Sequence, residues 1–137
     1  MTTTRRRIAT VILAPAAALA AWALIRLIGI DLVVSTGSGK VGPLDVVAAA
    51  VIAALAGWGA ARALERRSAR PRARWSLAAS TGLAVSIIGP SWFADGSSAV
   101  ALIVLHFVTA VVVIAGFVPT VSVSRRPFEP RRAARAM

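Results

Sequence analysis

The stretch Ser98–Val118, SAVALIVLHFVTAVVVIAGFV, decides how the rest of the chain is read. It is apolar apart from His106, Thr109 and the leading serine. Its length matches the ~20 residues that carry a helix across about 30 Å of hydrocarbon. The apolar run is continuous rather than alternating, which argues against a barrel strand. In lipid every backbone amide needs an internal partner, so the segment reads as a helix. Three similar blocks precede it. Ile8–Ile30 is broken only by Arg26, Pro43–Leu64 carries Asp45 at its start and Arg62 near its end, and Trp75–Phe93 carries no charge. The fold class is therefore all-α, an integral membrane antiparallel four-helix bundle with spans at 8–28, 43–64, 75–93 and 98–118. Residues 1–120 form one domain, and the Pro- and Arg-rich segment 121–137 is expected to be a disordered basic tail.

The connections suit this reading. Ser35-Thr36-Gly37-Ser38-Gly39 is a turn-forming run, Ala94-Asp95-Gly96-Ser97 a tight turn, and Glu65–Arg74 a short basic loop broken by Pro71. Pro43 fits a first helical turn. Pro15 and Gly89-Pro90 are expected to bend or end their helices.

Across 137 residues, 58% are hydrophobic and the mean hydropathy is +0.77. Soluble domains are about 45–50% apolar. Cysteine is absent, which excludes disulfides and thiolate metal sites. The net charge is +11, and its placement is informative. Arg5, Arg6 and Arg7 precede the first block. Arg62, Arg66, Arg67, Arg70, Arg72 and Arg74 lie around the second connection. Arg125, Arg126, Arg131, Arg132 and Arg135 follow the last block. With four spans, all three clusters fall on one side. The opposite side holds Asp31, Asp45 and Asp95 against Lys40 and Arg26. Basic residues in short loops mark the cytoplasmic face, so both termini are expected in the cytoplasm of a multi-pass plasma membrane protein. A cleaved signal ending at Ala18-Leu19-Ala20 is the rival reading, but the apolar stretch outruns the roughly 7–15 residues of a signal core. Trp75 and Trp92 are expected at the two headgroup levels, with Trp22 and Trp58 deeper.

His106 is the candidate intramembrane polar site. It lies about 12 Å below the outer surface at about 1.5 Å per residue, near the midplane. An ionisable residue at that depth is a functional hypothesis by default. The plainer reading is a neutral imidazole bonded across a helix interface. Ser86 of the third span shares its depth, so His106 is expected to bond Ser86 or a neighbouring backbone carbonyl. Arg26 at the outer interface can reach Asp31 or Asp45 while its stem stays in lipid. Small residues recur every four positions: Ala49, Ala53, Gly57 and Ala61 in the second span, Ala78, Gly82 and Ser86 in the third. They suit close helix packing, with Gly57 and Gly82 the strongest markers. Arg66, Arg67, Arg70, Arg72 and Arg74 suit anionic lipid headgroups rather than nucleic acid, because they are confined to a juxtamembrane segment.

No catalytic set can be drawn, since every acid lies in a loop or at a span end. No cofactor motif, phosphate loop or metal cluster is present, and no cofactor is expected. Small four-span multidrug exporters depend on a carboxylate inside the first span, which is missing here. The expected function is a non-enzymatic membrane module that packs with itself or with a membrane partner. The alternative is a small transporter or channel formed by an oligomer, with His106 lining a polar path.

Leu55-Ala56-Gly57-Trp58 running into Ala63-Leu64-Glu65-Arg66-Arg67, Trp75 after a basic loop, Gly89-Pro90, and His106 followed by an apolar run to Gly116 together carry a family resemblance. From Arg5 to Val118 the chain resembles a family of small four-span actinobacterial membrane proteins, grouped under domain of unknown function 6069. That resemblance implies a four-helix membrane fold and supplies no activity.

Overall fold

The computed structural model describes residues 2–34, 39–94 and 96–122. The basic cluster from Arg125 to Arg135, the turn residue Asp95 and the run 35–38 lie outside the described residues. Four helices make an all-α bundle: α1 (Thr3–Leu27), α2 (Pro43–Arg67), α3 (Pro71–Phe93) and α4 (Gly96–Phe117). A 3-10 turn, Val118–Thr120, follows α4. Each helix is long and apolar enough to cross a membrane. The helices outrun the apolar blocks mainly at the basic end, where α1 starts at Thr3, α2 continues to Arg67 and α3 starts at Pro71. Arg5, Arg6 and Arg7 are therefore helical residues.

Local chemistry sets the helix ends. Pro43 and Pro71 open α2 and α3, where a missing N–H costs nothing. At α2 the Gly42 N–H donates to Asp45 Oδ2 at 2.8 Å. Helix α1 stops at Gly29, whose φ of 85° only glycine adopts readily. The Ile30 N–H then reaches back to the Ile25 carbonyl, and the Gly29 N–H to that of Arg26, closing a Schellman turn. Neither proline inside a helix ends it. Pro15 lies mid-α1, and α3 runs three residues beyond Pro90.

The two described ends of the connection after α1 pair with each other. Val33 and Lys40 form an antiparallel bridge, and the Val41 N–H donates to the Leu32 carbonyl at 2.9 Å. Ser98 at the start of α4 holds this hairpin by donating to the Asp31 carbonyl at 2.8 Å and accepting from the Val33 N–H at 3.3 Å. Trp22 Nε1 donates to the Val41 carbonyl. The hairpin thereby caps an outer core layer of Ala18, Ile25, Leu32, Ala50, Leu102 and Leu105. The inner layer holds Ala14, Ala54, Ala61, Trp75, Val113 and Phe117.

Packing is uneven. Helix α1 contacts α2 and α4 closely, whereas α2 and α3 touch each other much less. The tightest approach joins α1 to α4. A Cβ at Gly116 would stand 2.9 Å from Thr10 Cβ and closer still to its Oγ1 and Cγ2. Gly57 is also close-packed, its Cβ direction meeting Val113 at 3.1 Å and Trp75 at 3.3 Å. At Gly82 a Cβ would meet nothing within 4 Å. Gly82 is thus not a packing residue within the bundle, because α3 stands off from α2 there. Trp75, about one turn into α3, faces the interior of the bundle. It is 3% exposed and packs edge-on against Phe117, with ring centroids 5.8 Å apart. Trp92 at the other end of α3 is 80% exposed. The root of the tail is packed rather than free, since Val121 is fully buried in the inner layer.

Candidate functional site: a cleft between α2 and α3

Where α2 and α3 part, with α4 behind them, a cleft of about 680 Å³ remains. Ala53, Ala60, Ala78 and Gly82 on its walls are exposed, so it is open rather than sealed. It runs along α2 from Asp45 to Ala60, about 22 Å at about 1.5 Å per residue. Ala49, Ala53 and Gly57 of the α2 stripe and Ala78, Gly82 and Ser86 of the α3 stripe line these walls, while Ala61 is buried in the inner core.

His106 and Ser86 both line this cleft, and they do not bond each other. His106 Nδ1 pairs with the Leu102 carbonyl at 2.7 Å, one turn back on its own helix. A carbonyl only accepts, so Nδ1 carries the proton in the neutral ring and Nε2 keeps its lone pair. Ser86 Oγ donates to the Leu83 carbonyl at 2.8 Å, and Thr109 Oγ1 to that of Leu105 at 2.8 Å. Of the two partners expected for His106, the structure uses a backbone carbonyl, and one from the same helix. Small polar side chains commonly satisfy themselves this way mid-helix. The Ser86 and Thr109 hydroxyls and the His106 Nδ1–H are thus engaged locally. His106→Leu is predicted to change stability by less than about 1 kcal/mol, the usual scale for one hydrogen bond in lipid. Thermal melts in mild detergent read this, and a loss above about 2 kcal/mol would contradict a purely local role.

At the end of the bundle away from the arginine clusters, Arg26 pairs with Asp31, and both side chains are about half exposed. Asp45 is instead engaged at the α2 N-terminus with Gly42, and so takes no part in that pair. Arg66, Arg67, Arg70, Arg72 and Arg74 are all exposed at the basic end. Arg7 differs from them. It is 5% exposed, and its Nη2 meets Glu65 Oε1 at 2.5 Å and the Thr120 carbonyl at 3.0 Å. Its Nε donates to Thr120 Oγ1 at 3.1 Å. Glu65 Oε1 also accepts from the Ser122 N–H at 3.3 Å. One guanidinium thus ties α1, α2 and the turn after α4. In sequence Arg7 resembled its exposed neighbours Arg5 and Arg6. The available signal was Glu65, an acid set among arginines.

Helix α3 forms an unusual outer face. Its most apolar stretch has the lowest mean hydropathy of the four such stretches, yet only 6% of it is buried, against 22% to 28% in the others. Ser80 and Thr81 are exposed there, and neither hydroxyl has a hydrogen-bond partner among the described residues.

Residues 1–123 match the family model described as Family of unknown function (DUF6069). The chain belongs to this family. The match spans all four helices, the cleft and the Arg7–Glu65–Thr120 cluster, so DUF6069 membership covers every feature described above. No curated protein and no solved structure matches the chain.

Proposed function

We propose that the chain is a non-enzymatic module of the plasma membrane that acts by packing α3 against another copy of itself or against a membrane partner. The observation that carries this is the mismatch on α3, where the least hydropathic of the four apolar stretches is the one least covered. Lipid offers no acceptor for the Ser80 and Thr81 hydroxyls, while a neighbouring helix does. Ser80 and Ala84 lie four residues apart on this face, small enough for backbones to approach. The cysteine-free chain allows a clean test. Ser80→Cys should crosslink to a second copy or a partner in native membranes, while Leu13→Cys on the exposed face of α1 should not. Equal yields at both positions would remove the proposal.

Both termini face the cytoplasm in this reading, because exposed arginines gather at one end of the bundle and the opposite end holds a single paired arginine. Ser97→Cys should then react with an impermeant maleimide outside intact cells, and Ser68→Cys only after permeabilisation. Labelling of Ser68→Cys in intact cells would invert the topology.

An oligomeric transporter or channel is the second reading. It is favoured by the His106 Nε2 lone pair, which has no partner among the described residues. Proton or ion flux in liposomes, abolished by His106→Ala, would favour it over the packing module.

A further inference from the structure

We infer that the α2–α3 cleft is a binding site for one anionic phospholipid of the leaflet at the basic end. Its acyl chain would lie in the cleft and its phosphate between Arg67 and Arg74. Three observations converge on this ligand. Alanine, glycine, valine and leucine make up most of the cleft wall, and the Ser86 and Thr109 hydroxyls and His106 Nδ1 are engaged by carbonyls of their own helices. An apolar occupant therefore leaves none of those three atoms without a partner. The cleft is elongated, running about 22 Å along α2 at about 1.5 Å per residue. Its length exceeds the roughly 15 Å of one leaflet, half of the hydrocarbon thickness.

Charge complementarity supplies the headgroup end. On α2, Ala53, Ala60 and Arg67 repeat every seven residues, about two helical turns, so Arg67 extends the exposed wall towards the basic end. On α3, Arg74, Ala78 and Gly82 repeat every four residues and do the same. Both arginines are exposed, and neither has an ion-pair partner among the described residues. Two cations thus lie on the helix faces that continue the cleft walls, beyond its end at Ala60 and Trp75. Arginine is well suited to such an anion because its guanidinium presents paired donors to phosphate oxygens.

This site is separate from the α3 outer face, so each proposal can fail without the other. The test is to extract the full chain in mild detergent from vesicles of equimolar phosphatidylglycerol and phosphatidylcholine with identical acyl chains. The lipid retained is then counted by mass spectrometry. Phosphatidylglycerol should be enriched at least roughly fivefold, about the worth of one arginine near an anionic surface. Arg67→Gln with Arg74→Gln should remove that enrichment. Arg66→Gln with Arg72→Gln lowers the charge equally from other helix faces and should leave most of it. Equal loss in the two double variants would reduce the site to a diffuse basic surface and overturn the proposal. Gly82→Leu, which fills open space, should expel the lipid while the chain stays monodisperse. Full retention of phosphatidylglycerol in that variant would place the acyl chain elsewhere and equally overturn it. Ser80→Cys crosslinking in the same vesicles reads the packing proposal independently.

Discussion

Arg7→Ala should destabilise the bundle by about 3 kcal/mol, the lower end of the range for removing one partner of a buried ion pair. The lower end applies because Glu65 retains 19% side-chain exposure and water can partly solvate the stranded carboxylate. The loss is still large for one substitution, because three acceptors lose their donor together: Glu65 Oε1, Thr120 Oγ1 and the Thr120 carbonyl. Arg7→Lys should recover only part. Lysine keeps the charge but cannot present donors to Glu65 and Thr120 in one planar fork. Arg5→Ala, at an exposed neighbour, should change stability by less than about 0.5 kcal/mol. Denaturation in mixed micelles reads all three variants. Coincident curves for Arg7→Ala and Arg5→Ala would show that the buried cluster contributes nothing.

Gly116→Ala should cost about 1–3 kcal/mol, the scale of overpacking a filled interior. The added methyl would collide with Thr10, which is buried and bonded through Oγ1 to the Arg6 carbonyl, so its rotamer is held. Thr10→Gly should relieve much of the clash, giving a coupling of roughly 0.5–3 kcal/mol in a double-mutant cycle. Additive effects would show that α1 and α4 do not meet at this pair. Gly82→Ala is the contrast. It adds a methyl to open space and replaces the weaker helix former, so it should be neutral or slightly stabilising.

The two glycines also show what a sequence of this kind conceals. The helices themselves were legible because continuous apolar blocks leave the backbone no other solution in lipid. The Arg26–Asp31 pair was legible because both partners lie within a turn or two of one helix end. Gly57 and Gly82 stood out by four-residue spacing, but spacing identifies a face and not the element opposite. Gly57 meets Val113 and Trp75, Gly82 meets the cleft, and Gly116 makes the closest approach without belonging to either stripe. Ser86 and His106, expected at one depth, both line the cleft. Their hydrogen bonds depend on local carbonyls that every helix supplies, so depth alone could not choose the partner. Arg7 was hidden for a different reason. Three consecutive arginines before an apolar block have one obvious use, as a topology signal, and the rotation of α1 that turns the third inward is set by helices far along the chain.

That separation has a consequence for biosynthesis. Arg7 is synthesised before both of its partners, with Glu65 58 positions later and Thr120 113 positions later. Until the turn after α4 has been made, the Arg7 guanidinium lacks the Thr120 hydroxyl and carbonyl that hold it in the finished bundle. Completion of the cluster is thereby coupled to synthesis of Thr120. A nascent protein halted between Glu65 and Thr120 carries that guanidinium with only its carboxylate partner, which distinguishes it chemically from the finished molecule.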